Sequence, residues 1–354
     1  MKDIGSIFPL SVEDMSLIDS EPTINSSEEN IINFSLCREA MYAIAEKYGK
    51  TEKKVLIPAY TCQTVIDPFV QQGWICRFYN IHANLRIDTE DLLRKFKSFS
   101  PTILVVHPYH GMELNTTELD TLKLIKKEGC ILMEDITQCI YSKKRPNIFD
   151  YFTGSYRKWY KVPDGGFVES KMLDGIKIPA MENDSFVRKQ AEAMYLRAKY
   201  FETGDEIIKS ISIRLNKEAV AGIGNSIALH KMSEFSSLLK SKEESEASTN
   251  IRSKNYNYLY NHLYQSSDIK FVCQNINEVT TAPLYFPIYV SNRTEIQKKL
   301  AAKHIYAPVL WPVNTAEVLI NDNIKYIYSH ILMIPIDQRY DEQDMKKIVT
   351  ILNS

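Results

Sequence analysis

The chain has 354 residues, 44 % of them hydrophobic and 25 % charged, and a formal net charge of -1. That length suits two domains better than one, and the near-neutral charge, spread along the chain, gives no sign of the basic stripe of a nucleic-acid-binding protein. No apolar run approaches the roughly 20 residues of a membrane helix, and Met1 to Leu10 lacks the basic and apolar regions of a signal peptide, so a cytoplasmic location is expected.

Residues 1–30 are polar and mixed and read as an extended N-terminal arm. Apolar Ile31–Phe34 is followed by Arg38–Tyr48, where Met41, Ile44 and Ala45 recur at helical spacing. Lys54–Ile57 is a short β-type run, and Cys62–Gln72 reads as a helix closed by Gly73. Ile75–Ile81 is strand-like, and Asp88 or Thr89 can cap a helix through Phe96. Thr102–His107 is a buried strand, Thr117–Glu128 a helix ended by Gly129, and Cys130–Glu134 a further buried strand.

Strands alternating with helices at this spacing predict a mostly parallel sheet wrapped by helices. Ligands in such sheets sit at the carboxyl ends of the strands. From about residue 182 to 265 long helical stretches dominate, with a polar insert at Lys240–Asn250. A strand at Leu284–Val290, a helix over about Ser291–Lys303, a strand at Ile331–Ile336 and an amphipathic helix at Asp341–Leu352 follow. The expected division is an arm (1–30), a large α/β domain (31–265) and a small C-terminal α+β domain (266–354). Cys37, Cys62, Cys76, Cys130, Cys139 and Cys273 form neither CxxC pairs nor a His/Cys cluster. Free thiols are expected, with neither zinc nor a disulfide framework.

Three segments at predicted strand ends carry the chemistry. Asp135 and Gln138 follow the strand at 130–134. Gly154-Ser155-Tyr156-Arg157-Lys158-Trp159 leads through Pro163-Asp164-Gly165-Gly166 into a β-type run. Phe34-Ser35-Leu36-Cys37-Arg38 joins a strand to a helix start, where backbone N–H groups can seat a phosphate and Arg38 can add a charge-assisted contact. Taken singly, each has a plainer reading: Asp135 as a loop residue or cap, Lys158 as a surface lysine before a hairpin, Ser35 as an N-cap. Together they supply an anion seat, a carboxylate and an amine, the parts that pyridoxal 5'-phosphate requires.

In these motifs the chain resembles the DegT/StrS family of pyridoxal-phosphate-dependent sugar aminotransferases, of fold type I. The likeness extends over Pro58-Ala59-Tyr60-Thr61, His107-Pro108-Tyr109-His110-Gly111, Arg252-Ser253-Lys254-Asn255-Tyr256 and Ile334-Pro335-Ile336. It implies that Lys158 holds the cofactor as a Schiff base and carries protons. Asp135 would pair with the pyridine nitrogen and Gln138 would lie on the phenolic side. Ser155 would bind phosphate together with the Ser35, Cys37 and Arg38 region. Cys62 stands where the family stacks an aromatic ring, Ser155 lies three residues before the lysine where the family usually places it five before, and Asp164 replaces a common Glu. Lys161 is the competing lysine; the Gly-Gly spacing favours Lys158.

The same resemblance implies a homodimer, with Asn225 reaching the neighbouring phosphate. It also implies amino transfer from glutamate to a keto group of a nucleotide-linked sugar in surface-polysaccharide biosynthesis, with no nucleic acid or membrane partner. The alternatives are a pyridoxal enzyme acting on a non-sugar substrate, or a non-catalytic scaffold. Weaker signals are His110-Gly111 as a turn, Trp311-Pro312 as a closing segment or a core aromatic, and Arg252 and Tyr256 as packing and surface contacts.

Overall fold

Short β-branched runs that lie between helices have both faces covered, and they assemble here into a central sheet. The computed structural model describes residues 3–19, 29–142, 145–224, 226–243, 245–313 and 315–354. The large sheet contains β1 (Ile31–Phe34), β2 (Lys54–Pro58), β3 (Ile75–Tyr79), β4 (Ile103–Val106), β5 (Ile131–Asp135), β6 (Tyr151–Ser155) and β7 (Gly166–Glu169), in the order β1-β7-β6-β5-β4-β2-β3. Strands β2 to β6 pair in parallel, whereas β7 is antiparallel to both β6 and β1. Every residue of β4 is buried, each such side chain contributing about 1.5–3 kcal/mol relative to exposure.

The first helices alternate with these strands. They are α1 (Val12–Met15), α2 (Cys37–Lys47), α3 (Gln63–Val70), α4 (Thr89–Phe99) and α5 (Thr116–Lys127). Asp88 is the cap of α4, its carboxylate accepting from Asp91 N, and the helix runs one turn beyond the expected end. The helical region that follows contains α6 (Asp184–Thr203), α7 (Glu206–Gly222), α8 (Glu234–Ser241) and α9 (Ser245–His262). The expected polar insert is therefore mostly the start of α9; its polarity reflects an exposed helix face.

The small sheet is antiparallel, β10 (Ile331–Pro335), β9 (Tyr285–Val290) and β8 (Ile269–Phe271) in that order. It is joined by α10 (Arg293–Ala301), α11 (Asp322–His330) and α12 (Glu342–Asn353). Tyr256 and Leu259 of α9 pack in the same core as Ile288 and Ile334, so this helix, grouped by sequence with the large domain, shares its core with the small sheet. Among the described residues no helix is long and apolar enough to cross a membrane.

The described part of the arm is packed down rather than loosely extended. Asp3 is buried among Arg197, Lys209 and His304 at 3.2, 3.3 and 3.3 Å. Ser11 and Asp14 form a capping box on the single turn α1.

Candidate active site

The carboxyl ends of β2, β4 and β5 place three polar residues in a row. Asp135 ends β5, and its Oδ1 accepts from Thr137 N at 3.0 Å and from Thr137 Oγ1 at 2.5 Å. Its Oδ2 lies 3.5 Å from Nδ1 of His107, which follows β4. The other ring nitrogen of His107 lies 2.8 Å from Thr61 Oγ1, just beyond β2. Burial lowers the His107 pKa against the opposing pull of Asp135, so the ring is neutral at pH 7. Nε2 and Thr61 Oγ1 share a hydrogen bond that ties the ends of β2 and β4 together. This relay fixes Asp135 from behind, and the aspartate faces a cavity of about 300 Å³.

That cavity is lined by Cys37, Arg38, Cys62, Asp135, Gln138, Ser155 and Lys158, together with His107, Thr137, Arg157 and Trp311. Lys158 lies on the connection between β6 and β7, in a short 3-10 turn. It is half-buried, and among the described residues Nζ makes no hydrogen bond or ion pair. Lys161, by contrast, is paired with Asp14, its Nζ 2.8 and 3.0 Å from the two carboxylate oxygens. Helix α2 opens into the cavity with Leu36 at its N-cap and no side chain satisfying its first amides. An unsatisfied helix start of this kind is an anion seat.

The Gly165-Gly166 pair explains how this seat comes so near the lysine segment. A Cβ on Gly166 would lie 2.1 Å from Cys37 N, so only glycine lets β7 pass beside the start of α2. Asp164, just before the pair, is fully buried and accepts from Ser233 N at 3.1 Å and Ser233 Oγ at 2.7 Å. Its work is to fix the start of α8, at a position away from the cavity.

Ser35, expected among the phosphate-binding residues, is not brought to the cavity wall. It is fully buried beneath it, its N–H donating to His230 O and its carbonyl accepting from Gly165 N. Nor is it the cap of α2, a role that falls to Leu36. The Arg38 guanidinium donates to Ile223 O at 3.1 Å and Gly224 O at 3.4 Å, tying α2 to the end of α7. Gln138 Oε1 accepts from His110 N at 3.2 Å while its buried Nε2 has no partner. Cys37 is held as a thiol by burial and by the neighbouring Asp135 charge. Cys62 caps the backbone turn into α3 and accepts from Thr64 Oγ1 at 3.0 Å.

Sequence reasoning missed His107, Thr137 and Arg157 as lining groups. His107 carried a readable signal, a histidine ending a fully buried strand. Trp311, expected as a closing segment or a core aromatic, reaches the site from the small domain at φ +62°, its ring 4.8 Å from that of Tyr60. His110-Gly111 is a turn, with positive φ at both residues. Arg252 and Tyr256 are buried and are not surface contacts. Asn225 lies outside the described residues.

No protein-family model matches the chain, and no curated protein matches it. Solved structures match it over most of its length. The sugar aminotransferase CalS13 from Micromonospora echinospora is 13 % identical, with TM-score 0.68, covering 99 % of this chain and 98 % of that one. A DegT DnrJ EryC1 StrS aminotransferase from Brucella abortus is 15 % identical with TM-score 0.59, over 91 % of this chain and 85 % of its own. NtdA from Bacillus subtilis, solved with bound cofactor PMP, is 14 % identical with TM-score 0.63, over 92 % and 73 %. The chain has the fold of the fold-type-I aminotransferases.

Proposed function

We propose that this protein is a pyridoxal-phosphate-dependent aminotransferase that moves an amino group from glutamate to a keto group of a nucleotide-linked sugar. The observation that carries this reading is the single cavity shared by Lys158, Asp135 and the open start of α2. The residues fit the cofactor: the orphaned buried Gln138 Nε2, the uncapped amides of α2 and the unpaired Lys158 are the donors and amine that it needs. The bound cofactor supplies an aldehyde for an amine and a protonated ring that accepts electron density.

The chain's own groups have distinct roles. The Cys37 and Arg38 amides and the Ser155 hydroxyl take the phosphate, at the positive end of a helix dipole. Asp135, its charge fixed by Thr137 and His107, keeps a proton on the pyridine nitrogen. Gln138 Nε2 donates on the phenolic side. Lys158 Nζ would hold and move the proton at the substrate Cα, as general base and then acid. Cys62 and Trp311, which line the same cavity, would cover the cofactor where the resembled family stacks an aromatic ring.

A homodimer belongs to this proposal. Ile207 and Val220 on α7 are exposed, at 72 % and 50 %, and Val220 and Ile223 also line the cavity. A second subunit on this face would cover apolar surface and close the site together. The described cysteines are all free, which fits a reducing cytoplasm.

The test is the glutamate half-reaction. Protein loaded with pyridoxal phosphate should lose its visible absorption on addition of glutamate, with 2-oxoglutarate released, and a keto-sugar nucleotide should restore it. Absorption that glutamate leaves unchanged, in protein that holds the cofactor, contradicts the donor assignment. Protein that takes up no cofactor leaves the scaffold reading.

A further inference from the structure

Residues 3–8 run along the seam between the small sheet and the helices α6 and α7, and both sides hold them. On the small-sheet side Ile4 N–H donates to His304 O at 2.9 Å, and Ile4 O accepts from Tyr306 N–H at 2.8 Å, a parallel bridge to the segment that follows α10. Gly5 N–H donates to Tyr340 Oη at 2.6 Å. Arg339, fixed by its pair with Asp337, donates from Nη2 to Ser6 O at 2.8 Å and from Nη1 to Ile7 O at 3.0 Å. On the other side Leu10 N–H donates to Met194 O of α6 at 3.2 Å.

Asp3 anchors the end of this strap. Its buried carboxylate lies 3.2 Å from Arg197 of α6, 3.3 Å from Lys209 of α7 and 3.3 Å from His304, and it accepts from the Tyr200 hydroxyl at 3.3 Å. The Arg197 and Lys209 side chains are themselves only 6 % and 10 % exposed. Among the described residues the one other carboxylate within reach of either is Glu206, 3.8 Å from Lys209 and mostly in solvent. The two helices thus hold a cationic socket whose counter-ion comes from the arm. Removing one member of a buried ion cluster leaves the rest uncompensated, at far greater cost than losing an exposed pair. Gly5 follows at φ +89°, where a Cβ would lie 2.1 Å from Tyr306 O, so only glycine seats here.

Gly5, Ser6, Ile7 and Phe8 are half-buried, and on their inner side they line a cavity of about 240 Å³ together with Arg157 and Lys158. We propose that residues 3–8 are a latch. Seated, they tie the small-sheet region to α6 and α7 and shut this side of Lys158 from solvent; released, they open the seam and the cavity together. The latch stands on these contacts alone, and its consequence, control of access to the reactive amine, rests on the aminotransferase reading. A segment that must unseat before the lysine is reached from this side gates the site without taking part in the chemistry.

The experiment is hydrogen exchange of the full-length protein, read by peptide mass spectrometry. Phenylglyoxal labelling of Arg252, 0 % exposed and lining the same cavity, reports opening. In Asp3→Asn, exchange at residues 3–8 and 304–306 and labelling of Arg252 should each rise about tenfold or more, with β4 and β5 unchanged. Gly5→Ala leaves every charge in place and strains the seat; it should open the same residues, and it serves if Asp3→Asn does not melt cooperatively. Arg188→Ala, which removes the exposed pair with Asp19 on the same arm, should match wild type. Wild-type exchange and labelling in the latch variants, or a rise shared equally by β4 and β5, would overturn the proposal. Cofactor uptake is measured on the same samples: local opening in protein that takes up no pyridoxal phosphate keeps the latch and loses the aminotransferase reading. Cofactor uptake with no local opening in the variants does the reverse.

Discussion

At the scale of single residues, the charged groups of the site divide into those that are held and those that are free. Asp135 is held on both oxygens, by Thr137 and by His107. Asp135→Asn should therefore still take up cofactor while turnover falls on the order of a hundredfold or more; wild-type rates in that variant would place the acid partner elsewhere. Glu134, beside it, points away from the cavity, and burial pushes its carboxyl up to about 8 against the opposing charge of Arg145. The folded state thus favours the protonated acid, and this contribution is complete below about pH 4.5 and is lost as pH rises through about 8. Glu134→Gln, which cannot ionise, should melt at more nearly equal temperatures at pH 5 and pH 8.5 than wild type does; an unchanged difference would refute the assignment. The spacing from Lys158 to the glycine pair was legible in the sequence, and the Asp14–Lys161 ion pair supplies a physical reason to set the other lysine aside. The His107 relay was not legible, since its two partners come from other strands and meet it only when the sheet forms.

At the scale of elements, the connection between β6 and β7 does most to build the site, because it carries Lys158 inward and returns beside the start of α2. The close passage at Gly166 makes a specific prediction. Gly166→Ala must displace the backbone at Cys37, so it should cost about 1–3 kcal/mol of stability and weaken cofactor uptake beyond what the lost stability explains. Denaturant midpoints and cofactor titration measure the two effects, and an unperturbed variant would mean that the α2 start is not the phosphate seat. The strand at 103–106 was readable as a β-branched apolar run, and that at 131–135 as a short buried segment closed off from the preceding helix by Gly129. Strand β6, Tyr151-Phe152-Thr153-Gly154-Ser155, was not, since short mixed segments become strands through pairing with β5 and β7. Helix α11 was missed as well; its apolar residues are few, and it is defined by the Asn321 cap and by Tyr328 bonding to Ala59 O and Thr61 O.

At the scale of the whole molecule, the cavity that Lys158 lines is built from the large sheet's strand ends together with Trp311 from beyond it. Trp311, read from the sequence as a closing segment or a core aromatic, reaches the cavity from the region beyond the main sheet. Helix α7 carries exposed apolar side chains beside the cavity mouth, and the homodimer proposal assigns them to a subunit contact. Val220→Glu should shift the protein toward monomer in sedimentation velocity and lower cofactor affinity together. A wild-type dimer that the substitution leaves intact would move the interface to another face.

The central claim is that Lys158 is the cofactor-bearing amine, and borohydride reduction of protein loaded with pyridoxal phosphate, followed by identification of the modified peptide, tests it most directly. The account predicts one phosphopyridoxyl label, on Lys158, and none in Lys158→Ala, whose fold should persist because the side chain has no described partner to lose. A label on Lys161, or a yellow, reducible Lys158→Ala variant, would contradict it.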